Sequence, residues 1–101
     1  MSVSKNISSD GSHLTISIQG RFDFNIYKDF RDAYVDCLKS TPRITINMSS
    51  TEYLDSSALG MLLVLREQSG GDNSNIEITG VNSEIKKILG ISNFDKMFSI
   101  K

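Results

Sequence analysis

One histidine, one cysteine, one proline and no tryptophan among 101 residues leave little of the usual equipment for catalysis or cross-linking. A lone Cys excludes an internal disulfide and fits a reducing, cytoplasmic setting. A lone His beside it cannot complete the common zinc or haem ligand sets, so no metal or other cofactor is expected. Charge of one sign is missing too: eleven Lys and Arg face twelve Asp and Glu, a formal net charge of −1. That balance argues against the broad basic face a phosphate backbone needs, while leaving room for a small basic patch, and direct nucleic-acid binding is not expected. The longest strongly apolar run, residues 59–65, falls far short of the roughly 20 residues of a bilayer span. The opening Met1-Ser2-Val3-Ser4-Lys5 has no apolar signal core. Internal repeats, low-complexity blocks and Pro/Gly/Ser-rich linkers are also lacking, so residues 1–101 read as one domain. A domain of this size buries only about 60–70% of its unfolded surface and has no room for a deep substrate cavity. A module that binds or switches is favoured over an enzyme.

What is present alternates between two periods. Val3 to Ile7 alternates weakly, Asp10-Gly11 marks a hairpin, and Leu14, Ile16 and Ile18 alternate with polar residues until Gly20. Over residues 25–39 the spacing becomes helical: Ile26, Phe30, Ala33, Tyr34, Cys37 and Leu38 form one stripe, stopped by Thr41-Pro42. Ile44, Ile46 and Met48 make another strand, and a polar loop, residues 49–52, is expected before Tyr53-Leu54. Asp55-Ser56-Ser57 are good helix caps for an apolar helix over about 58–68. Leu59, Met61, Leu62, Leu63, Val64 and Leu65 cover more than half its circumference, which predicts extensive burial. A strand over 76–81 and a short helix with Ile85, Ile88 and Leu89 follow, with Gly90 as its expected stop. The tail, residues 94–100, reads as a last strand. The order β-β-α-β-α-β-α-β predicts an α/β fold: a mixed, mostly parallel sheet with an N-terminal antiparallel hairpin and about three helices.

Catalytic patterns fare poorly. Ser56 and Ser57 stand at a loop-to-helix junction, but the G-x-S-x-G frame of a nucleophile elbow is absent. His13, on a strand beside the hairpin, is expected to face solvent rather than serve as a general base. No Walker motif or strand-borne G-x-G-x-x-G occurs, so a nucleotide-binding module is a distant reading. The strongest concentration of signal is Tyr53-Leu54-Asp55-Ser56-Ser57-Ala58-Leu59-Gly60. Capping accounts for its polar trio locally, but not for the whole string.

That string resembles the signature of the STAS domain, and in particular of the bacterial anti-sigma factor antagonists, where D-S-S-G-L-G or D-S-T-G-L-G opens the second helix. The resemblance extends over nearly the whole chain. Gly20-Arg21-Phe22-Asp23 is similar to the family's G-x-L/F-D turn, and residues 44–48, Gly70-Gly71 and residues 88–94 fall in family order. It implies a STAS domain over residues 1–101 and a phosphorylation site at Ser56, with Ser57 as the alternative acceptor. Asp23, Asp55, Ser57 and Ala58 are the implied partner-binding residues. Asp23 also has a plain reading as a turn or cap residue, and Ser57 as a cap. Ala58 stands where the family usually has Gly, which preserves packing but removes backbone freedom. The extra C-terminal helix of many relatives is not expected within these residues. Phe22, Phe24 and Tyr27 are candidates to extend the docking surface.

The implied activity is partner switching without catalysis by this chain. The unphosphorylated form binds an anti-sigma factor, a serine kinase with a histidine-kinase-like ATPase fold, and thereby frees a sigma factor. Phosphorylation ends binding and a serine phosphatase restores it. The alternative is a STAS-type scaffold or regulatory subunit of a transport or signalling complex with no sigma factor.

Overall fold

β1 (Val3–Ile7), apolar only at its two ends, pairs antiparallel with the cleanly alternating β2 (His13–Phe22), Val3 opposite Ile18 and Ile7 opposite Leu14. The structure, a computed structural model, describes residues 2–38 and 43–101. Asp10 orders the reversal between these strands. Its Oδ1 accepts hydrogen bonds from the Ser8 hydroxyl at 2.7 Å, the Ser12 hydroxyl at 2.7 Å and the Ser12 backbone N–H at 3.0 Å. These bonds, that of Ser8 foremost, lower the Asp10 carboxyl to about 2. Its folded value lies below its unfolded one, so the hairpin's gain is complete above roughly pH 4 and is lost as pH falls through about 2. Carbon-detected NMR titration of Asp10 is expected to show that low midpoint. Asp10→Ala is expected to remove this contribution to the acid side of the stability curve.

The remaining strands, β3 (Arg43–Leu54), β4 (Ile76–Thr79) and β5 (Ser99–Ile100), each run parallel to their predecessor, giving the sheet order β1-β2-β3-β4-β5. The crossovers carry α1 (Tyr27–Tyr34), α2 (Ser56–Gln68) and α3 (Ser83–Ile91). Right-handed crossovers in a sheet whose order follows the chain place all three helices on one face. The core lies there: Leu14, Ile16, Ile18, Ile46, Met48 and Ile78 are fully buried with Phe22, Phe30, Leu62 and Leu65. This is the expected α/β architecture, with its hairpin and three helices.

A parallel sheet is commonly covered on both faces; here the second face carries polar side chains instead. His13 Nε2 lies 2.6 Å from Thr45 Oγ1, which donates to Glu77 Oε1 at 3.2 Å, and Lys101 Nζ meets Glu77 Oε2 at 3.1 Å. Thr45 has one proton and gives it to Glu77, so His13 is the donor in the first bond. His13 is thereby half-buried on this face rather than simply facing solvent.

Several boundaries differ from the sequence reading, among them the end of β4 at Thr79 rather than at residue 81. Residues 49–52 are not a loop: β3 continues unbroken to Leu54, because register shifts at Ser17/Gln19 and Gly20/Arg21 let β2 follow it. Gly20 takes the positive φ of 79° that the second shift needs, and the buried Thr51 hydroxyl bonds the Ile18 carbonyl at 2.7 Å. The first helix is shorter than expected, because Asp23 caps a 3-10 turn, Phe24–Ile26, before α1 begins. Its expected stop at Thr41-Pro42 lies outside the described residues. Gly90 is inside α3, and the left-handed residue beyond the helix is Asn93, with φ 60°. Residues 94–98 form a turn rather than a strand, since Phe94, Met97 and Phe98 are spaced to pack together on one side; only Ser99–Ile100 joins the sheet.

Candidate functional site

The parallel strands β2 and β3 end level with each other, Phe22 opposite Leu54, and the chain leaves each through an aspartate. Asp23 and Asp55 are both extended and both act as caps. The N–H groups at a helix start have no acceptor within the helix, so a short carboxylate just before it is held in place by them. Asp23 Oδ1 accepts from Asn25 N–H at 3.0 Å, and only 9% of the residue is exposed. Asp55 Oδ1 accepts from Ser57 N–H at 3.0 Å, Ala58 N–H at 3.2 Å and the Ser57 hydroxyl at 2.6 Å. The Ser57 hydroxyl bond is the chief reason the Asp55 carboxyl stays below the usual carboxylate range; the Ala58 and Ser57 N–H groups and the charge of Arg21 act the same way. Asp55→Ala is expected to lower the thermal unfolding midpoint and to speed amide exchange at Ser57 and Ala58, read by NMR.

The two serines are therefore unlike. Ser57 is half-buried with its hydroxyl committed to Asp55. Ser56 is exposed, and its hydroxyl has no hydrogen-bond partner among the described residues. Ala58 is fully buried, so its side chain faces the core and presents no surface to a partner. The site thus gathers Asp23, Asp55, Ser56 and Ser57 at one end of the sheet, and Ala58 packs beneath them.

Apolar surface continues from this point. The face of α2 that begins at Ser56 carries Gly60, Leu63, Val64 and Glu67 outward at helical spacing, with Leu63 and Val64 both exposed. Burial of α2 is accordingly narrower than its composition suggests: Ala58, Met61, Leu62 and Leu65 form the inward stripe. Of the aromatic candidates, Phe22 belongs to the core against Phe30, at 5.2 Å between ring centres. Phe24 is 67% exposed and stacks on the partly exposed Tyr27.

Two members were not legible in the sequence. The register shift sets Arg21 opposite Tyr53, and the Arg21 guanidinium lies over that ring at 4.3 Å from its centre. Its Nε also donates to Asp23 Oδ2 at 3.4 Å. No periodicity signals a pairing that depends on a bulge. Among the described residues, no group of three or more His, Cys, Asp or Glu is placed to hold a metal, and no helix is long and apolar enough to cross a membrane.

Comparison with known proteins places these features in a family context. Residues 6–99 match the family model described as "Mlab, STAS domain". A STAS-domain containing protein of Pseudomonas aeruginosa (strain UCBPP-PA14) is 48% identical over 100 residues, 99% of each chain. Among solved structures, the anti-sigma factor antagonist SpoIIAA in its unphosphorylated form superposes with a TM-score of 0.82 at 13% identity, over 98% of this chain and 87% of that one. The Bacillus cell fate determinant SpoIIAA in its phosphorylated form gives 0.75 at 13% identity, over 98% and 90%. At such identities the likeness is one of fold.

Proposed function

The chain belongs to the STAS domain family, and on that premise we propose that it is an anti-sigma factor antagonist working by partner switching, with Ser56 as its phosphorylation site. The observation that carries this reading is the contrast at the start of α2. Asp55 locks Ser57 while the Ser56 hydroxyl stays exposed and uncommitted, beside an exposed aliphatic helix face. A kinase needs a hydroxyl it can reach, and a docking partner needs apolar surface to cover.

In this reading the unmodified chain docks on an anti-sigma factor serine kinase, and a sigma factor is released from that kinase. Transfer forms a bond between Ser56 Oγ and the γ-phosphorus of ATP, breaks the bond to ADP, and passes the hydroxyl proton to a base of the kinase. The product carries about −1.5 to −2 charges at neutral pH where a neutral hydroxyl stood. Asp55 and Asp23 already hold negative charge there, so the modified surface repels an acidic partner, and covering it with apolar surface costs the desolvation of the phosphate. A serine phosphatase reverses the step. This chain is the substrate of both enzymes and catalyses neither reaction, and the cycle is placed in the bacterial cytoplasm.

Incubation with the serine kinases encoded beside it, with ATP and magnesium, followed by intact-mass measurement and peptide mapping, tests the assignment. One phosphoryl group on Ser56 is expected. Transfer to Ser57 alone, or to neither serine, overturns it.

A further inference from the structure

Arg21 has a geometry that its resting contacts do not use up. Its guanidinium rests over the Tyr53 ring, 4.3 Å from its centre, within cation–π distance. Its one ion pair among the described residues, Nε to Asp23 Oδ2, is long at 3.4 Å, and the arginine side chain is 67% exposed. The two terminal nitrogens have no hydrogen-bond acceptor among the described residues. The side chain belongs to the same strand end as Asp55, whose ionisation its charge favours. Ser56 follows Asp55 directly, about 3.8 Å away from Cα to Cα across a trans peptide.

We propose that Arg21 is the intramolecular receiver of the phosphate: when Ser56 is phosphorylated, the guanidinium fork turns from Asp23 to the phosphoserine oxygens while keeping its seat on Tyr53. This rests on Ser56 being the modified residue. The exchange follows from the charges. Asp23 offers one negative charge at long range to a solvent-exposed cation, a pairing of little strength. A phosphoserine offers up to twice that charge and three acceptor oxygens, and a planar fork can grip two of them at once. Asp23 keeps its bond from Asn25 N–H but loses its cation. One modification therefore alters two places on the surface: Ser56 gains charge, and Asp23 loses the weak pairing it had with Arg21. Arg21 acts here as a positioning residue, not a catalytic one.

The test uses the full chain with phosphoserine encoded at position 56 during translation, so that no kinase is involved. In a ³¹P NMR titration, the second ionisation of the phosphate is expected at a pH lower by about 0.5 unit or more than in the same chain with Arg21→Gln. Arg21→Lys, which keeps the charge without the fork, is expected to fall between them. The Arg21 Nε–Hε resonance is expected to move on phosphorylation, and Lys28→Gln to leave the titration unchanged. Coincident midpoints for the parent and Arg21→Gln, with the Nε–Hε resonance unmoved, overturn the proposal. Because the phosphate is encoded, failure of kinase transfer to Ser56 counts against the functional reading alone, and this titration is read independently of it.

Discussion

Ser56→Ala is expected to bind the partner kinase as tightly as the parent chain, and Ser56→Asp to bind it about 100- to 1000-fold more weakly in a calorimetric titration. The charge argument sets the direction. A carboxylate at position 56 stands beside Asp55, which is held ionised by Ser57 and by two backbone N–H groups, and close to Asp23 at the neighbouring strand end. A partner that covers this corner must desolvate a third carboxylate while Arg21 is already engaged by Asp23, and a buried charge so poorly paired costs several kcal/mol. A loss of roughly 3–4 kcal/mol corresponds to two to three powers of ten in affinity. Alanine removes only an exposed hydroxyl with no partner among the described residues, so it has little to lose. The fold should survive both changes, because the cap is made by Asp55 and not by Ser56. Equal binding by the two variants would instead mark the surface as a constant docking face of a scaffold.

The second large effect is one of stability. Gly80→Ala is expected to destabilise the domain by roughly 2–5 kcal/mol in urea unfolding. Gly80 follows β4 with φ 73°, and a Cβ there would lie 2.8 Å from the backbone nitrogen of Ser49 and 2.9 Å from its Cα. Neither atom can step aside as a flexible side chain would, because Ser49 is part of β3. Gly20→Ala is the matched control. Its φ of 79° carries the same backbone strain, but a Cβ meets nothing within 4 Å. It is expected to cost about 1–2 kcal/mol, the backbone share alone. The difference between the two variants isolates the collision. Domains of this kind have total stabilities of about 5–15 kcal/mol, so the upper part of the Gly80 range threatens folding itself.

Much of this was readable from the residues because the strands alternate cleanly. Ile44-Thr45-Ile46-Asn47-Met48 sends every second side chain to the core, and the polar partners between them announce a face that no helix covers. Asp55 as a cap was equally plain, since short carboxylates at helix starts satisfy orphan N–H groups. The difference between Ser56 and Ser57 was not. Both are small hydroxyl residues at a helix start; the resemblance favours Ser56, and the physical contrast, the 2.6 Å bond from Ser57 to Asp55 and the exposure of Ser56, is seen only in the fold. The continuation of β3 through residues 49–52 was hidden for a different reason. Four polar residues look like a loop, but two register shifts and the Thr51 bond to Ile18 let them stay in the sheet. The α2 surface was overread because Leu63 and Val64 signal burial by composition while their helical phase turns them outward.

The strand order has a consequence for how the molecule comes together. Because β1 to β5 sit side by side in the order in which they occur in the chain, no strand ever has to enter between two already paired neighbours. The hairpin needs only local closure, and each later strand adds to an edge already in place as the polypeptide emerges from its N-terminus. The corner that holds Asp23, Asp55 and Ser56 draws on β2, β3 and the start of α2. Its parts, and the α2 face that continues from it, therefore all precede the last two strands in the chain, so the recognition surface is made before the sheet is complete.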